Sequence, residues 1–140
     1  MAEVTPNEEL VKRLNEALGW ELRALTMYAH YAAYVKGIYR LHLKPFFEEE
    51  ATESLGHATV VRDHIAKLGG QARTDRDPTE IVHTTDYKVM LEEAMKTERR
   101  AAETYKAFLE LPGIEAEMHD AIEQIYFMEE RSVEELNQLM

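Results

Sequence analysis

Four glutamates and one histidine stand where the surrounding sequence repeats apolar residues every three or four positions. Glu21 falls between Leu18 and Leu25, Glu50 and His57 between Phe46 and Val61, Glu98 between Ala94 and Ala101, and Glu129 between Ile125 and Ser132. A carboxylate carried alone into a low-dielectric interior is costly and ends up protonated or paired. Several that converge need a shared cation, and carboxylate oxygen with imidazole nitrogen is a donor set that iron, manganese and zinc all accept. The chemistry these residue types predict is therefore binding of a divalent metal inside the protein. Each residue alone has a plainer reading. A single glutamate can snorkel to solvent, a single histidine is commonly a hydrogen-bonded core residue, and Glu50 closes the acidic run Glu48-Glu49-Glu50, which would ordinarily face water. The coincidence on separate helices is what favours a metal.

The elements that must position these side chains are helices. Thr5-Pro6-Asn7-Glu8 reads as a helix start, with Thr5 as cap, Pro6 in the first turn and Glu8 closing a capping box. The apolar stripe Leu14, Leu18, Leu25, Tyr28, Ala32 and Val35 then runs to Gly37. A second helix, opened or kinked by Pro45, carries Phe46, Ser54, His57, Val61, Ile65 and Leu68 up to Gly69-Gly70. The polar stretch from Gly70 to Asp86 is long for a link between packed helices, so it predicts a crossover along the bundle, with Asp77-Pro78-Thr79-Glu80 as a second capping box. A third helix follows, with Leu91, Ala94, Ala101, Tyr105 and Phe108 on one face, stopped by Leu111-Pro112-Gly113. The fourth carries Met118, Ile122, Ile125, Ser132, Leu136 and Leu139. The expected fold is all-α: a four-helix bundle of two antiparallel hairpins joined by a long crossover, as one domain over residues 1–140. Tyr28 and Tyr105 are read as core aromatics with hydrogen-bonded tips.

Composition narrows the partners. With 27 acidic against 16 basic residues the net charge is −11, which opposes nucleic-acid phosphate and anionic membranes and favours cations. The absence of cysteine excludes disulfides, thiolate nucleophiles and iron–sulfur or rubredoxin-type sites. No stretch approaches the roughly 20 apolar residues of a membrane span, and Met1–Pro6 has no basic segment followed by an apolar run. A soluble cytoplasmic protein is the expectation.

The segment Leu14-Asn15-Glu16-Ala17-Leu18-Gly19-Trp20-Glu21-Leu22, continuing to Tyr28, resembles the first helix of the bacterioferritins, and nearly the whole chain resembles the ferritin-like superfamily. In that family two helices each give a lone Glu and the other two each give Glu-x-x-His. Together these form a dinuclear iron site that oxidises ferrous ion with oxygen or peroxide before storage. The resemblance implies that Glu21 and Glu98 match the lone carboxylates, His57 the histidine of helix two, and Glu129 the bridging carboxylate of helix four. Ser54 stands where the other bridging Glu belongs and Ser132 where the second His belongs. What remains is a site for one metal at Glu21, His57 and Glu129, with Glu98 nearby and Glu50, one turn before Ser54, as a replacement oxygen donor; Glu53 and Glu130 are further candidates.

The implied function is iron storage or detoxification, with Fe(II) bound in the bundle core and ferroxidase activity if the reduced ligand set supports it. The bacterioferritin haem methionine is matched by Leu55, so no haem is expected. The short fifth helix of larger ferritins has no counterpart before Met140, which favours a dimer or smaller shell over a 24-subunit cage as the homo-oligomer. The rival reading is a non-catalytic scaffold or interaction protein with one structural ion or none. A peroxide-reducing bundle would want a separate electron-transfer module, which a cysteine-free chain lacks.

Overall fold

The computed structural model describes residues 6–140, so the expected cap at Thr5 lies outside the described residues. Helix α1 spans Pro6–Tyr34, α2 Arg40–Lys67, α3 Tyr87–Leu109 and α4 Ala116–Leu139, with no strand among the described residues. Glu8 and Glu9 occupy the first turn of α1, where negative charge suits the exposed amide groups. Gly37, at φ 98°, turns the chain into α2. Pro45 neither opens nor breaks α2: the helix already begins at Arg40, and the ring removes one backbone bond only near the exposed first turn.

At the other end of α2, Gly69 takes φ 79°; its amide donates to the Ala66 carbonyl and that of Gly70 to the Ile65 carbonyl, the paired bonds of a Schellman cap. The chain then crosses over without regular structure as far as Asp86. Asp77 accepts from the amide and hydroxyl of Thr79 at 2.9 and 2.5 Å, but no helix follows, so the expected second capping box is a local turn. The cap of α3 is Asp86, whose side chain accepts from the Lys88 amide.

Two apolar clusters fill the interior, and the order in which each helix meets them gives the topology. Helix α1 passes Leu14 and Leu18 in one cluster and then Met27, Tyr28 and Tyr31 in the other; α4 follows the same order, from Ile122 and Ile125 to Leu136. Helices α2 and α3 run oppositely, from Phe47 to Ile65 and from Met90 to Phe108. Thus α1 lies antiparallel to α2 and to α3, and the crossover travels the length of the bundle, as expected from its own length. On every helix the change of cluster falls at the same level, and Glu21, His57, Glu98 and Glu129 lie there.

Three details differ from the sequence reading. Phe47, not Phe46, is the fully buried aromatic of α2, and Leu139 is exposed at the end of α4. Arg23, unremarked among the charged residues, is buried: it donates to the carbonyls of Thr79 (3.1 Å) and Glu80 (2.6 Å) and to the Thr97 hydroxyl (2.6 Å). A guanidinium can replace the crossover's missing backbone partners with several donors at once, which is how an irregular strand is tied across a bundle. No described helix is long and apolar enough to cross a membrane.

Candidate metal centre

The level between the two apolar clusters is polar because each helix turns one acidic or hydrogen-bonding residue into it. Glu21 of α1 is wholly buried, and Glu98 of α3, Glu129 of α4 and His57 of α2 are nearly so. His57 Nδ1 lies 2.9 Å from Glu21 Oε2 and 3.0 Å from Glu129 Oε1. These three residues offer ligand atoms that all fall within 4.8 Å of one another. Glu98 adjoins them, with its carboxyl within hydrogen-bonding reach of Glu129 and accepting from the Tyr28 hydroxyl at 2.8 Å. Tyr105 donates to Glu21 Oε2 at 3.1 Å. Both tyrosines are thus core aromatics with bonded tips, as their positions in the stripes predicted.

Every neighbour of His57 is an acceptor. On its outer side Nε2 faces Met128 Sδ at 3.3 Å and Glu53 Oε1 at 3.7 Å. Burial opposes a charge on the ring, but hydrogen bonds and charge from Glu129 and Glu21 outweigh it and push His57 up to about 11. The imidazolium therefore occupies, in electrostatic terms, the place a cation would take. The carboxyls shift the other way. Burial, reinforced by the charge of Glu21, raises Glu129 to about 7, and burial raises Glu21 despite His57. Glu98 is held well above the ordinary carboxylate range by burial and by the charge of Glu129.

Glu50 does not face water with the rest of its acidic run. It is only 9% exposed, and burial together with the charges of Glu98, Glu53 and Glu135 raises it to about 8. It therefore borders the centre without joining the group within 4.8 Å. Glu53 touches only the outer nitrogen of His57, and Glu130 is exposed and bonded by Tyr126, so the latter is no candidate. Ser54 and Ser132 are both buried beside this level. Met128 was not foreseen; its one signal is its place next to Glu129.

One proton on Nδ1 cannot satisfy two carboxylates. Glu21 Oε1 and Glu129 Oε2 are buried without any hydrogen-bond partner, and an orphaned buried carboxylate oxygen is among the costliest groups a core can hold. Three donors around one point, two of them carboxylates with a free oxygen, fit a single oxygen-and-nitrogen-liking dication. At the two positions where the resemblance expects a bridging and a terminal ligand for a second ion stand the hydroxyls of Ser54 and Ser132.

A four-helix bundle with a carboxylate–histidine centre at mid-height defines a class of protein rather than one protein. The family model for the ferritin-like domain matches residues 11–140, and the chain belongs to that family. Among solved structures, it is similar to a ferritin-like, diiron-carboxylate protein from Bacillus anthracis str. Ames, at 35% identity and TM-score 0.88 over 99% of both chains. It is also similar to the bacterioferritin-related protein of Bacteroides fragilis, a dodecameric thioferritin, at 26% identity and TM-score 0.86 over 94% of this chain and 84% of that one. A DPS protein from Vibrio cholerae O1 shares the fold at 16% identity and TM-score 0.89, over 98% and 92% of the two chains. No curated protein matches the chain.

Proposed function

We propose that this chain is a bacterioferritin-type iron-binding protein of storage or detoxification, holding one iron ion per protomer at Glu21, His57 and Glu129. The observation that carries the reading is the pair of orphaned carboxylate oxygens, Glu21 Oε1 and Glu129 Oε2, on either side of His57 Nδ1. Fe(II) would exchange for the Nδ1 proton, and Glu98 and Glu50 would supply nearby negative charge once deprotonated. Iron is favoured over manganese or zinc by family membership and by the diiron-carboxylate character of the Bacillus anthracis relative.

Oxidation follows from electron counting. A centre with one Fe(II) releases one electron at a time, whereas reducing oxygen to peroxide takes two. Slow conversion to Fe(III) is the expected activity, in contrast to the paired delivery of a dinuclear centre. A homo-oligomer is part of the same proposal: Ile38 and Leu41 are 84% and 79% exposed, and Leu55 and Phe127 are also exposed, leaving apolar surface that a second copy would cover.

A scaffold without metal is the second reading, and a specific observation favours it: the His57 imidazolium already places its positive charge within 3.0 Å of both Glu21 and Glu129. Anaerobic addition of Fe(II) to metal-free protein, with ions counted per chain before oxygen is admitted, separates the two. One ion and slow oxidation support the proposal. Two ions with rapid turnover, or no binding at all, would refute it, and the latter result would establish the scaffold.

A further inference from the structure

Away from the bundle centre, a second pair of nitrogen donors is brought together by the crossover. His30, on α1, and His83, on the crossover, place Nε2 and Nδ1 2.9 Å apart. Tyr34 flanks both rings, with centroids 4.6 Å from His30 and 4.7 Å from His83. The chain around His83 is fixed rather than loose. The Tyr31 hydroxyl donates to the Val82 carbonyl at 2.8 Å, the Lys36 amide donates to the Thr85 carbonyl at 3.3 Å, and Arg23 holds the Glu80 carbonyl.

We propose that His30 and His83 form a two-imidazole site for a borderline transition-metal dication, Cu(II) foremost. The 2.9 Å separation is that of the hydrogen bond between the metal-free rings, and it already brings two nitrogens within the span of ligands that each lie roughly 2.0–2.1 Å from one ion. Imidazole affinity peaks at copper across the first-row dications, which puts Cu(II) first. Water would complete the coordination. In the metal-free pair one ring donates to the other. Binding needs only that the donor ring move its proton to its other nitrogen, so both rings stay neutral and no proton is lost. The chain's net charge of −11 favours arrival of any cation. A bound ion would add a staple between the crossover and α1 beside the bonds that already hold this stretch.

The test is a Cu(II) titration of the metal-free full chain followed by electron paramagnetic resonance. The site predicts a signal with two coupled imidazoles, which the bundle centre, with one histidine, cannot give. His83→Gln, at an exposed position, and His30→Gln, at a half-buried one, should each remove one imidazole from the signal and weaken binding. His119→Gln, at the other histidine-containing acidic group, on α4, should leave it unchanged. A signal unaltered in His83→Gln, a signal lost in His119→Gln, or only single-imidazole copper in the unmodified chain would overturn the proposal.

Discussion

His57 Nδ1 stands 2.9 Å from Glu21 Oε2, and the opposite oxygen of that carboxylate, buried in the same core, touches no donor. This half-satisfied pairing joins α1 to α2 and sets the behaviour of the whole centre. The proton on His57 offsets the charge of the carboxylates it faces in the metal-free bundle, and the same proton is what a metal must displace.

Iron binding should therefore strengthen as pH rises. At neutral pH an arriving dication meets a protonated His57, raised to about 11, and a Glu129 near its midpoint at about 7. Each ion bound at pH 7 should release about one to two protons, read by an indicator in weakly buffered solution. Uptake of protons, or affinity that falls between pH 6 and 8, would contradict the assignment.

Metal-free stability should run the opposite way. His57, Glu129 and Glu50 all have folded-state values raised above their unfolded ones, so the fold binds more protons and loses stability as pH rises. The contribution of His57 is complete below about 6.5 and fades as pH rises toward about 11; Glu129 loses its share between about 4.5 and 7 and Glu50 between about 4.5 and 8. Calorimetry of the metal-free protein should show the melting temperature falling from pH 5.5 to 8.5, and Glu50→Gln should flatten that slope. A melting temperature that climbs over the range would show that these carboxyls are not buried together.

Restoring the two missing ligands should restore a second ion. In the double variant Ser54→Glu, Ser132→His, every position of the Glu and Glu-x-x-His pattern is filled. The count in anaerobic titration should rise from one Fe(II) per chain to two, with faster oxidation on exposure to oxygen. A count that stays at one in a folded variant would show that more than these two side chains separates this chain from a dinuclear centre.

Tyr105→Phe should cost about 1–3 kcal/mol, the range for removing a hydrogen bond to a buried charged group, because Glu21 Oε2 loses its phenolic donor. Urea unfolding measures the loss. A neutral result would mean that Glu21 is protonated in the fold and has no need of Tyr105.

Arg23→Met should release the crossover while sparing the bundle. Four hydrogen bonds disappear, two of them to the carbonyls of Thr79 and Glu80 and the others to the Thr97 hydroxyl and the Met27 sulfur. Amide exchange over residues 77–83 should quicken markedly, with the amides of α2 and α3 still protected. Equal loosening of helices and crossover would show that Arg23 supports the core as a whole.

How much of this was legible in the sequence follows from what helical periodicity encodes. Glu21, His57, Glu98 and Glu129 sit at the spacing of their apolar stripes, so their burial could be read before any fold was known. The crossover was legible as a long polar gap between strong periodicities. Glu50 fell in its stripe as well, but a run of three glutamates has no internal period, so its solvent-facing reading stayed open until its burial was seen. The choice between Phe46 and Phe47 failed for a similar reason, as adjacent aromatics leave the phase of the stripe open. Arg23, Met128 and the His30–His83 pair depend on contacts between distant segments, and a single sequence carries no local mark of those.

One ion bound at one place is what everything above requires of the bundle centre. Crystals of the metal-free protein soaked anaerobically with Fe(II) and measured at the iron absorption edge should show a single anomalous peak per protomer, bound by Glu21, His57 Nδ1 and Glu129. A peak elsewhere, two peaks in the bundle centre, or none while His57 keeps its contacts to both carboxylates would contradict it.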